Sequence, residues 1–296
     1  MSDAVDGEKD LHTIPLIYTL AYSPCPNDTF IFAALANGLL TDAPRVEVVL
    51  DDVEALNSAA RRGAYSLTKV SYGAIPYLLD RYRIMPSGGA LGRGCGPLVV
   101  MRPRPDGTVP SLSELDPECL VAIPGVMTTA FLLLKLALGR TPPIAEMRFD
   151  RIVGAVAAGE VDAGLIIHES RFTYEKFGLR AVADLGEWWE TQTQMPIPLG
   201  AILVRRDVSP AQAVTLNDAI RRSLRFARSR EGAIIDYVRA HAAEMDDDVM
   251  RKHIELYVNE FSDDVGAAGR AAIDVLFERA AASGLIPPGT KAEFAA

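Results

Sequence analysis

The chain has 296 residues, 49% hydrophobic and 23% charged, with a net charge of −9 at pH 7. This is the composition of a globular protein with room for one large domain or two ordinary ones, and the acidic excess excludes a partner gripped through nucleic-acid phosphates. No apolar run nears the roughly 20 residues of a membrane helix, and the three cysteines, Cys25, Cys95 and Cys119, form no disulfide framework.

Residues 1–13 are polar and acidic, lack the apolar middle of an export signal, and read as a tail. A cytoplasmic enzyme or binding protein is therefore expected. LIYTLAY (16–22) reads as a buried strand, and SPCPND as a stiff turn into a helix that runs from about Thr29 toward Gly38. VEVVL (46–50) is a second strand, 53–62 a helix closed by Gly63, YSLTKVS (65–71) a third strand and 74–80 a further helix. The glycine-rich run GGALGRGCGP (88–97) leads into the strand-like PLVVM, whereas a dinucleotide loop must open a helix.

The middle of the chain repeats this order. CLVAIP (119–124) is a strand, TTAFLLLKLALG a helix closing on Gly139, and MRF (147–149) a short strand. RIVGAVAAG (151–159) is a helix and VDAGLII (161–167) a buried strand that ends at His168. Laying Gly63 over Gly159 puts Ser71 and His168 one position apart. PIPLGAILVRR (196–206) returns as a strand, and the remainder reads as helices near 210–227, 231–242, 247–258 and 266–283.

Two such units predict an α/β, two-lobed fold of the type II periplasmic-binding-protein kind, with a ligand cleft between the lobes. Residues 1–102 and 200–296 are assigned to the larger lobe and 103–199 to the smaller lobe inserted in it. Ligands in such sheets sit beyond the carboxyl ends of the strands. That places SPCPND, TKVS, GVMTTA and IIHES at the cleft.

The Pro-Cys-Pro turn fixes φ angles and removes donors. Asn27 or Asp28 is then expected to cap the helix, with free first-turn N–H groups aimed at the cleft. The helix start at Thr129 and Ala130 faces it from the other lobe, so a small organic anion fits between them. Imidazole ordinarily titrates near neutrality, so His168, at the end of its strand, suits a base removing a proton beside a carbonyl. Lys69 and Ser71, two apart, share one face of their strand and suit a carboxylate. Asn27, Asp28 and Arg93 are further possible cleft residues. Cys25 and Cys95 are expected to pack, and Trp188, Trp189, Phe172, Tyr174 and Phe177 either wall an aromatic ligand or join the core. The histidines and cysteines fall at no metal-ligand spacing, so no metal is expected.

SPCPNDTFIF, TKVSYGAIPYL, GGALGRGCGPLVV, IPGVMTTAFLLL, GEVDAGLIIHESRFTYEKFGL, DLGEWWE and PLGAILVRRD, in this order, resemble the 1,4-dihydroxy-6-naphthoate synthases. These are lyases of the futalosine route of menaquinone (vitamin K2) biosynthesis. The resemblance spans about 16–285 and implies a cytoplasmic, cofactor-independent enzyme. It would convert cyclic dehypoxanthinylfutalosine, an aromatic carboxylate, to 1,4-dihydroxy-6-naphthoate and release a sugar-derived fragment, the lobes closing on their substrate. By the same resemblance His168 is the base, and Lys69, Val70, Ser71, Thr129 and Ala130 contact substrate. The alternatives are a chorismate dehydratase-like enzyme of the same superfamily and a small-carboxylate binding protein. No nucleic-acid or membrane partner is expected.

Overall fold

Two sheets, each three parallel strands extended by antiparallel ones, organise the chain; the computed structural model describes residues 17–242 and 246–295. The tail expected over 1–13 lies outside the described residues. In chain order the first stretch runs β1 (Ile17–Tyr22), α1 (Pro26–Ala36), β2 (Arg45–Leu50), α2 (Val53–Arg61), β3 (Leu67–Ser71), β4 (Tyr82–Ile84) and β5 (Ala90–Gly92). The second runs β6 (Leu98–Met101), β7 (Val121–Ile123), α3 (Thr129–Leu138), β8 (Ile144–Glu146), α4 (Phe149–Ala158), β9 (Ala163–Ile166), α5 (Ser170–Thr173), β10 (Arg180–Asp184) and α6 (Leu185–Thr193). The chain then returns through β11 (Ile197–Arg205) to α7 (Pro210–Ser229), α8 (Ile235–His241), α9 (Asp247–Tyr257), α10 (Glu260–Asp263) and α11 (Gly266–Ala282).

The first sheet has the order β2-β1-β3-β11-β4, with β5 also paired to β11; the second reads β8-β7-β9-β6-β10. The duplication read from the sequence is therefore a duplication of topology. β3 and β9 hold equivalent central places, each beside an antiparallel strand delivered by the other half of the chain (β11 and β6). The carboxyl ends of β3 and β9 carry Ser71 and His168 to the junction of the lobes.

Several expected elements differ. Strand β6 belongs to the second sheet, so the first crossing falls before Leu98 and not at 102; the return strand β11 already starts at Ile197. The helix expected over 74–80 is one 3-10 turn at Ile75–Tyr77, because the chain must turn at once into the buried strand that starts at Tyr82. The strand expected at 147–149 lies at Ile144–Glu146, where Ile144 registers with Val121, while buried Phe149 opens α4. β10 and α6 had no counterpart in the reading, and the helix expected over 231–242 is split into a 3-10 turn and α8.

Helix α1 is buried from Pro26 to Leu35, apolar beyond its polar first turn, and packs under α7 and α8. The largest apolar cluster runs through both lobes, from Val70 and Tyr72 to Val99, Phe131 and Trp189. At the junction the backbones nearly touch. A Cβ on Gly73 would meet the carbonyl oxygens of Met127 and Thr128 at 2.9 Å. Glycine is thus what lets the end of β3 lie against the start of α3.

Glu54 on α2 adds a polar latch across the same junction. Its carboxylate accepts from Met127 N at 3.3 Å and from Asn57 Nδ2 at 3.1 Å. Burial, reinforced by Glu146 and Asp52, pushes its pKa up to about 7. A carboxyl with a raised folded pKa contributes stability that is complete below about pH 4.5 and is lost as pH rises through about 7. Glu54→Gln, neutral throughout, is therefore expected to gain on the wild type in melting temperature between pH 5 and pH 8. Parallel melting curves for the two proteins would remove Glu54 from this role.

Candidate active site

A cavity lies between the lobes. Asn27, Asp28, Lys69, Val70, Ser71, Thr129, Ala130 and His168 all line it. Four segments distant in sequence thus converge as the strand-end rule anticipates.

The α1 side is built around a buried ion pair. Lys69 Nζ donates to Asp28 Oδ1 at 2.6 Å and to Gly88 O at 3.1 Å. Asp28 also accepts from Asn27 Nδ2 at 2.8 Å and, through Oδ2, from Ser23 Oγ at 2.9 Å. The expectation that Asn27 or Asp28 caps α1 is corrected here. Cys25 occupies the N-cap without a side-chain bond and Pro26 the first helical position, where its missing N–H costs nothing. Asp28 is thereby freed to hold Lys69. The same pairing leaves Lys69 one of its three N–H groups for a ligand.

The α3 side supplies donors. Thr128 caps the helix, its Oγ1 accepting from Phe131 N at 3.2 Å. First-turn N–H groups have no intrahelical acceptor, so those of Thr129 and Ala130 are available to an anion at the positive end of the helix. Thr129 Oγ1 donates to Leu199 O at 2.7 Å and accepts from Gly73 N at 3.1 Å, tying this helix start to the first lobe. Ser71 is set by Asn57, whose Oδ1 accepts from Ser71 N at 2.9 Å while its Nδ2 donates to Ser71 Oγ at 3.3 Å. The Ser71 hydroxyl proton therefore points elsewhere than Asn57.

His168 stands at the end of β9 with φ +58°, a left-handed conformation a non-glycine residue holds only when its surroundings enforce it. Its ring meets Phe149 edge-on at 4.9 Å, and its Nε2 is buried without a hydrogen-bond partner. Burial lowers its pKa to about 4, opposed by Asp28 and aided by Lys69, so the imidazole is neutral at pH 7.

Sequence reading missed the residues behind it. His253, on α9, is fully buried; its ring stacks over His168 at 6.2 Å and meets Tyr257 at a tilt at 4.6 Å. His253 Nε2 lies 2.9 Å from Asn27 Oδ1, and Nδ1 lies 4.0 Å from Glu169 Oε2. Tyr257 itself lines the cavity. The only available signal was helical spacing, because His253 and Tyr257 stand four apart on one face.

Arg93 does not join the site. Its side chain is 56% exposed and reaches Glu190 and the carbonyl of Gln194 at the rim of the second lobe. Of the aromatic set, Trp189 is fully buried and donates to Pro196 O, while Phe177 is exposed; none lines the cavity. Cys25 and Cys95 are buried, with burial raising both thiols, Cys95 to about 12.

Residues 18–282 match the family described as menaquinone biosynthesis. The chain belongs to that family. It is 50% identical to the 1,4-dihydroxy-6-naphtoate synthase of Thermus thermophilus over 93% of this chain and 98% of that one. It is 48% identical to the enzyme of the same name from Streptomyces coelicolor, over 90% and 94%. Protein AF1704 from Archaeoglobus fulgidus, a crystal structure, is 37% identical and superposes with a TM-score of 0.82 over 91% of this chain and 98% of that one. The alkanesulfonate-binding protein of Xanthomonas axonopodis pv. citri, bound to MOPS, shares 14% identity at a TM-score of 0.70, covering 94% of this chain and 96% of that one. That likeness establishes the periplasmic-binding-protein-like fold for this menaquinone-family chain. No helix among the described residues is long and apolar enough to cross a membrane.

Proposed function

We propose that this chain is a lyase converting cyclic dehypoxanthinylfutalosine to 1,4-dihydroxy-6-naphthoate in menaquinone biosynthesis, with His168 as the base that starts the reaction. The observation that carries the reading is the facing of two features across one cavity: the open start of α3 and the unpartnered ring nitrogen of His168. The first suits a carboxylate, the second a proton. The names of the two bacterial relatives, both 1,4-dihydroxy-6-naphtoate synthases, support the product.

In this reading the substrate carboxylate lies on the N–H groups of Thr129 and Ala130, joined by the Ser71 hydroxyl. Lys69 fixes the opposite wall through Asp28 and offers its remaining N–H. Val70 packs on the ring. His168 takes the proton beside the carbonyl, the ring opens with loss of the sugar-derived fragment, and aromatisation to the naphthalene drives the later steps. An anionic substrate also raises the basicity of His168, offsetting the loss caused by burial. The base thus strengthens when substrate is in place. The smaller lobe, residues 98–196, carries His168 and α3; the larger carries the ion pair. The enzyme acts in the cytoplasm, on a small molecule and without a cofactor.

The test is turnover of cyclic dehypoxanthinylfutalosine and, separately, of chorismate by metal-stripped protein, with products followed by chromatography. Naphthoate from the first substrate alone is expected. Turnover of chorismate alone would replace the reading with the dehydratase-like alternative. Tight carboxylate binding with no turnover of either substrate would make the chain a binding protein.

A further inference from the structure

Three side chains that no sequence spacing connects meet beside the cavity. Cys25 comes from the start of α1 in the first lobe, and His168 and Glu169 follow β9 in the second. The sulfur, a ring nitrogen and a carboxylate oxygen of these residues all lie within 4.8 Å of one another. Cys25 and Glu169 are buried, and His168 Nε2 has no hydrogen-bond partner.

A second imidazole stands behind them. Asn27 Nδ2 donates to Asp28, so Asn27 Oδ1 is the atom facing His253 and must accept from His253 Nε2–H. Neutral His253 then carries its lone pair on Nδ1, the nitrogen 4.0 Å from Glu169 Oε2. That fully buried nitrogen likewise has no hydrogen-bond partner.

We infer that Cys25, His168 and Glu169, with His253 behind Glu169, form a site for a thiophilic divalent cation, Zn²⁺ above all, that bridges the two lobes and silences the base. Sulfur and imidazole nitrogen select zinc over magnesium or calcium, which take oxygen ligands. A thiolate and a carboxylate neutralise the two positive charges inside a buried site. Zinc bonds of about 2.0–2.3 Å in a tetrahedron require the donors to draw in by about an ångström from the widest spacing. Rotation of the Cys25 and Glu169 side chains supplies movement of that size. The position facing the cavity stays open for water or a ligand oxygen, as in sites with three protein ligands. Binding forms a zinc–sulfur bond and releases the Cys25 thiol proton to solvent. It also removes the nitrogen lone pair that His168 offers a substrate.

The silencing rests on the proposed role of His168, whereas the binding does not, and the experiment separates them. Metal-free protein titrated with Co²⁺ is expected to develop thiolate-to-cobalt absorption at one equivalent, which Zn²⁺ displaces and Mg²⁺ does not. Cys25→Ser should lose that absorption, and Glu169→Gln, which removes one of the three ligands, should weaken Zn²⁺ binding. Melting curves of both variants without metal check that they fold. In the activity arm Zn²⁺ stops naphthoate formation and a chelator restores it. Absence of the cobalt band, or Zn²⁺ binding undiminished in Cys25→Ser, overturns the site. A cobalt band without turnover of the futalosine substrate leaves the site standing and removes the proposed reaction.

Discussion

Replacing His168 with glutamine is expected to lower turnover of cyclic dehypoxanthinylfutalosine by at least about a hundredfold, with little change in substrate affinity. Glutamine keeps most of the side-chain volume and a polar tip but accepts no proton. The left-handed backbone at this position is strained for either residue, so the substitution adds no new conformational penalty. The ring is held by Phe149 on its edge and His253 on its face, contacts that fix its orientation more than they stabilise the fold. The melting temperature of His168→Gln should therefore stay near that of the wild type. Single-turnover kinetics with product quantified by chromatography decide the matter. Retention of more than a tenth of the wild-type rate would assign the proton transfer to another group, and the neighbours to test first are Glu169 and Ser71.

How far the site was legible depends on where each residue gets its position. Lys69, Ser71 and His168 end strands, and a strand end is readable because alternation and a following glycine or polar cluster mark it. Thr129 and Ala130 open a helix whose cap, Thr128, and closing glycine, Gly139, are both local signals. The duplicated strand–helix order gave the lobes for the same reason, since each strand and helix of the repeat carries its own local pattern and closing glycine. What failed was set by tertiary contacts. Tyr257 reaches the cavity wall, with His253 behind it, only because α9 folds back over α1, a path no short-range pattern encodes. Arg93 was misplaced because its loop leans toward Glu190 on α6, a helix that itself went unread. Asp28 looked like a cap because the sequence cannot say that Pro26 starts the helix two residues earlier and leaves the carboxylate to Lys69.

Lys69→Met is expected to destabilise the protein by about 3–5 kcal/mol, because it leaves the Asp28 carboxylate buried without its counter-ion. Three donors remain on Asp28, Ser23 N, Ser23 Oγ and Asn27 Nδ2, which holds the loss toward the lower end. The informative variant is the double substitution Lys69→Met with Asp28→Asn. It removes both charges, keeps an acceptor for Ser23, and should recover most of the lost stability, since a buried pair contributes little beyond what its own burial costs. Turnover should not recover with it. Lys69 Nζ also bonds Gly88 O at 3.1 Å and lines the cavity, so the double variant is folded but lacks the cation on that wall. Denaturant unfolding of the two single variants and the double one gives the coupling energy directly. A double variant as unstable as Lys69→Met would mean that the methionine fails on shape and not on charge. A double variant with both stability and turnover restored would reduce the ion pair to a packing element and leave the α3 helix start as the only anion-binding feature of the cavity.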